Sequence, residues 1–186
     1  EQPNRAHPMT ANPSTANPAL SLDDLVDELD LARRYTAELV AGLTPAQIAW
    51  RPHDNSSAIG WHLGHQAAVC HYMVRNLTAA EPPIDRHFDA LFDSATPEPD
   101  RSPLPPVSAI VEYRDAVAAS ASTTLARIAQ RRVGAPDQLT VVAIGLVCSL
   151  INHEYQHSAW IGEVRDTMID TPRPAPASSH LASIDG

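Results

Sequence analysis

The chain has 186 residues, 44% of them hydrophobic, enough to bury one sizeable core and too few for a second full domain. Its 22 acidic residues outweigh 13 arginines, lysine is absent, and the net charge is -9. Nucleic acid and anionic membrane call for a basic face, and the arginines cluster no further than the pairs Arg33-Arg34 and Arg131-Arg132, so neither is an expected partner.

Missing lysine beside abundant Ala, Arg and Pro points to a GC-rich coding sequence and an actinobacterial host. Cys70 and Cys148 are too few for a disulfide framework, and both fall in apolar helical stretches where reduced thiols pack as small hydrophobes. The sequence carries no secretory leader pattern and no apolar run of about 18 residues. A cytoplasmic protein is expected.

Residues 1–20 bring Pro3, Pro8, Pro13 and Pro18 among small polar residues, which predicts a disordered leader. Met9 is a candidate native start, with residues 1–8 as an added stretch. From Ser21, whose partner Asp24 completes a capping box, Leu22, Leu25, Val26, Leu29, Ala32, Thr36, Leu39 and Val40 recur at helical spacing. This first long helix should end near Gly42. Thr44-Pro45-Ala46-Gln47 predicts a short helix reaching Trp50, stopped by Pro52.

Ser56 or Ser57 is a candidate cap for the second long helix, from about Ala58 to Leu77. The proline-rich stretch from Thr78 to Pro106 reads as a loop, with one short helix at Asp85 to Phe92. A connection this long usually covers a site or a partner. Val107 to Arg132 returns to helical spacing, closed by Gly134-Ala135-Pro136. The fourth long helix runs from Thr140 to about Ile169, with Leu146, Leu150, His153, His157, Trp160, Val164 and Met168 on one stripe. Pro172, Pro174 and Pro176 then open a Pro-rich tail, residues 171–186. Strand alternation is limited to a weak β-branched hint at Thr140 to Ile144, so the expected fold is an all-α four-helix bundle over residues 21–170.

The chemistry concentrates in His153-Glu154-Tyr155-Gln156-His157. Histidines at i and i+4 lie one turn apart on one face and can aim at a common point. Within an apolar stripe such a pair is costly unless its polar atoms are satisfied, and a shared metal satisfies them. A third ligand must come from elsewhere: His62 and His65 on the second long helix are the candidates, and His71 is a weaker one. The same letters read as H-E-x-x-H, the zinc metalloprotease pattern. However, position 160 is Trp, where one protease branch needs Gly, and the strand that aligns a peptide is missing. Glu154 is therefore expected to support a ligand or face solvent. Trp61, Tyr72, Tyr155, Trp160 and Arg165 are candidates for a pocket near the metal.

Three stretches together resemble the DinB-like superfamily of metal-binding four-helix bundles. They are the Leu43-Thr44-Pro45 to Trp50-Arg51-Pro52 linker, Ser57 to His65 with its Trp61-His62-Leu63-Gly64-His65, and His153 to Arg165. That group includes the DinB-like domain of ergothioneine sulfoxide synthases and bacterial thiol S-transferases. The resemblance implies metal ligands His65, His153 and His157 holding a divalent ion (Zn, Ni or Fe), with Trp61, His62, Tyr72 and Arg165 toward the substrate. It implies a low-molecular-weight thiol S-transferase, with mycothiol as the thiol in an actinobacterial host and an electrophilic small molecule as the second substrate. Non-haem Fe(II) oxidation is the alternative enzymatic reading, and a metal-stabilised homodimer or sensor is the non-catalytic one.

Overall fold

The computed structural model describes residues 20–78, 81–93 and 103–177. The expected leader lies outside the described residues except for Leu20, and so does the expected tail beyond residue 177. All regular structure among the described residues is helical: α1 (Leu22–Val40), α2 (Pro45–Ala49), α3 (Ile59–Arg75), α4 (Arg86–Leu91), α5 (Val107–Ala129) and α6 (Pro136–Asp166).

The starts of the first two helices follow from local chemistry. Ser21 accepts from the Asp24 amide while the Asp24 carboxylate accepts from the Ser21 amide, and Thr44 and Gln47 repeat the arrangement. Each capping box satisfies donors that a helix end leaves unpaired. Gly42, at φ +77°, takes the left-handed conformation just beyond α1. Two expectations need correcting here. Neither Ser56 nor Ser57 caps α3, whose N-cap is Ala58 with no side-chain bond. Pro136 does not close the helix before it but opens α6, as a proline can because its ring fixes a helical φ.

The four long helices α1, α3, α5 and α6 form the bundle, with α1 packed chiefly on α6 and α3 on both α5 and α6. Leu25, Leu29 and Leu39 of α1, Ile110, Leu125 and Ile128 of α5, and Ile151 and Ile161 of α6 are fully buried in the shared core. From Ile59 to His71, α3 is almost wholly enclosed, because α2 and α4 cover the sides that the bundle leaves open. The buried face of α6 follows Ala143, Val147, Leu150, Glu154, Ser158 and Ile161. That line is turned by about one residue from the expected stripe and leaves Trp160 40% exposed. No described helix is long and apolar enough to cross a membrane.

Candidate metal centre

Packing α3 against α6 brings four histidines to one seam of the bundle. One ring nitrogen from each of His65, His153 and His157 lies within 4.8 Å of the other two. The Nε2 atoms of His65 and His153 face each other at 3.3 Å. His65 and His157 are buried and His153 is half-buried. On the side away from this point, His65 Nδ1 donates to the Phe92 carbonyl at 2.7 Å, and His157 Nδ1 shares a hydrogen bond with His62 Nδ1 at 2.8 Å. An imidazole that donates from one nitrogen keeps the lone pair of the other for a ligand; His65 does so against the carbonyl, and His157 does so in the tautomer that donates to His62. The Trp61 indole lies flat on His65, with ring centroids 4.6 Å apart, and fixes the ring from the side.

Three of these histidines, His62, His153 and His157, are held neutral. Burial, and then the nearby His65, lower His62 to about 4. Burial and then His65 bring His153 to about 4, against a weaker upward pull from Glu154. For His157, burial followed by His153, His62 and His65 brings the value to about 2. Neutral imidazoles with converging nitrogens are what a divalent cation needs as donors.

A cleft of about 500 Å³ opens over the cluster, lined by His53, Asn55, Ser56, Ser57, Trp61, His62, His65, His157, Trp160, Glu163 and Val164. Of the residues expected near the metal, Trp61, His62 and Trp160 do line it. Tyr72 and Arg165 do not join them. Tyr72 is 64% exposed and borders a different cavity with Arg75 and Arg86, because it lies two turns of α3 beyond His65. Arg165 turns to the chain that follows α6, donating to the Thr171 carbonyl and hydroxyl at 3.0 Å each. Tyr155 packs on Tyr35 of α1. His71 is engaged by Asp89 at 3.0 Å. The expected buried thiol is found at Cys70, whereas Cys148 is half-buried.

Glu154 faces away from the histidines. Its carboxylate accepts from Arg114 at 3.0 Å and from the Thr36 hydroxyl at 2.9 Å, on the wall of a separate cavity of about 350 Å³ between α1 and α5. Water activation of the metalloprotease kind needs that carboxylate at the metal, and it is one helix face too far round.

A family model of the DinB superfamily matches residues 28–161. The chain belongs to the DinB superfamily. The match runs from α1 into α6 and encloses all four histidines of the seam. DinB proteins are metal-binding, and the three-histidine cluster here could hold an ion. Its all-imidazole donor set fits a borderline-soft divalent cation such as Zn, Ni or Fe. None of the curated proteins compared with this DinB chain matches it. The Phe92 carbonyl and the His53–Ser57 edge of the cleft were missed in the sequence. A main-chain oxygen has no letter, and only the fold shows that the loop just before α3 borders the cleft.

Proposed function

We propose that this DinB protein is a metal-dependent S-transferase, in which His65, His153 and His157 hold a divalent ion and a low-molecular-weight thiol is joined to an electrophilic small molecule. The observation that carries the reading is the convergence of ring nitrogens of His65, His153 and His157 within 4.8 Å of one another, beside an open cleft that His65 and His157 line. Three protein ligands with an accessible side suit a catalytic rather than a closed structural ion. When bound, the ion supplies a Lewis acid that lowers the pKa of a coordinating thiol.

The side chains supply the rest. The imidazoles bring no negative charge, so charge balance favours a thiolate as the remaining partner. Trp61 and Trp160 wall the cleft beside His157 and offer a substrate aromatic surface. Asn55, Ser56 and Ser57 offer amide and hydroxyl groups, and Glu163 is the one carboxylate among the lining residues, which include no guanidinium. Such a lining suits a hydroxyl-rich thiol of the mycothiol type better than one bearing several anionic groups.

Metal analysis of the purified protein, followed by thiol-dependent consumption of a model electrophile, tests the proposal. About one equivalent of ion is expected, lost in His157→Ala together with turnover. A protein that binds no ion in the presence of excess Zn, Ni or Fe overturns the reading. Iron with oxygen-dependent and thiol-independent turnover would replace it with oxidation chemistry.

A further inference from the structure

Among the described residues of the connection between α3 and α5, Phe92 reaches the histidine cluster through its carbonyl oxygen. We propose that the Asp85–Phe92 segment is a positioning element for the metal ligand His65, acting through that carbonyl, anchored by Asp89 and admitted by the missing side chain of Gly64. The inference rests on the metal reading above.

His65 Nδ1 and the Phe92 oxygen are 2.7 Å apart. A carbonyl can only accept, so this contact holds the proton on Nδ1 and keeps the Nε2 lone pair toward His153. The other tautomer would set two lone pairs against each other. The carbonyl is in turn fixed by its own side chain. The Phe92 ring is fully buried and lies against Gly64, where an added Cβ would come within 2.3 Å of the ring. No side chain fits between them, and residue 64 is next to the ligand itself.

The segment is also fastened further along α3. Asp89 Oδ1 accepts from His71 Nδ1 at 3.0 Å and from the Tyr113 hydroxyl at 2.6 Å, tying α4 to both α3 and α5. Asp85 caps α4 through the His87 and Phe88 amides at 2.8 and 3.0 Å. The Phe92 amide closes the helix on the Phe88 carbonyl at 3.0 Å. Each bond leaves the carbonyl of Phe92 less free to leave His65.

The test compares Gly64→Ala, Asp89→Ala and Asp89→Asn with the wild-type chain. Leu29→Ala, a core change in α1, serves as a control that destabilises without touching the segment. Co(II) affinity is measured by chelator competition at a temperature where all variants are folded, and side-chain 15N shifts report the tautomer of His65. Gly64→Ala and Asp89→Ala are expected to lose roughly 10- to 100-fold in affinity and to show mixed tautomers. Asp89→Asn, which keeps an acceptor oxygen, should recover much of the affinity, and Leu29→Ala should bind as wild type. Wild-type affinity and a single Nδ1–H tautomer in both Gly64→Ala and Asp89→Ala would overturn the inference and leave the metal reading intact. Failure of the wild-type chain to bind Co(II) removes the ligand role of His65 and this inference with it. Should Gly64→Ala not fold, the two Asp89 variants decide.

Discussion

Glu154 stands between two histidines of the seam in sequence, yet its carboxylate is buried against α1 and α5. Arg114 completes the network, donating to the Leu63 carbonyl at 2.7 Å and to Gln66 Oε1 at 2.9 Å. Gln66 in turn donates to the Glu154 carbonyl at 3.0 Å. Removing one partner from such a pair leaves the other charge desolvated. Glu154→Ala should therefore lower unfolding free energy by about 3 kcal/mol or more. Glu154→Gln, which keeps an acceptor for Thr36, should cost less. Urea unfolding at pH 7 checks both, and stability equal to wild type in Glu154→Ala would contradict the buried network. The i, i+4 pair was readable in the sequence because helix geometry alone aligns it. The inward turn of Glu154 was not, because α6 carries apolar residues on nearly every side, from the exposed Val141 and Val142 to the buried Val147. With so little contrast between faces, spacing alone left the buried direction unsettled by about one residue.

At the scale of elements, legibility followed the caps. The starts of α1 and α2 were readable because Ser21 and Thr44 bond to residues three positions on, a local pattern that the letters display. The cap of α3 and the start of α6 were misread, since Ala58 and Ala135 cap without any side-chain bond. Ala135 also sits at φ 48°, in the left-handed region where a Cβ costs roughly 1–2 kcal/mol. Glycine escapes that cost but gives back about 0.5–1 kcal/mol through the freer unfolded chain. The net expectation for Ala135→Gly is a gain of up to about 1 kcal/mol, seen as a rise in Tm of about 2–4 °C. A fall in Tm would mean that the α5–α6 connection does not hold residue 135 in this conformation. The short helix at α4 was legible from its place between prolines. Its contact with His65 was not, because 27 residues separate the two and only the folded bundle brings them together.

For the molecule as a whole, collecting His62, His65, His153 and His157 at one seam makes stability depend on pH and on metal. In the unfolded chain a histidine takes up its proton near pH 6.5. In the folded chain burial delays this to about 4 for His62 and His153 and to about 2 for His157. Between those values the unfolded state binds more protons than the folded one, so stability must fall as pH drops below about 6.5 and is fully present above it. From pH 6.5 to pH 5 each fully shifted histidine can remove about 2 kcal/mol at most, with less from the half-buried His153. Urea unfolding of the metal-free protein at pH 7.5 and pH 5 measures the change. A loss of several kcal/mol is expected, reduced in His62→Asn, which removes one of the titrating rings. An ion on the triad adds its own dependence: at a free concentration 100 times its Kd it stabilises the fold by about 2.7 kcal/mol. Because burial keeps His153 and His157 deprotonated in the folded chain until the pH falls to about 4 or below, that gain should be nearly the same at pH 7.5 and pH 5 and be lost only at lower pH. A metal stabilisation that persists undiminished in His157→Ala would place the ion on ligands other than these histidines.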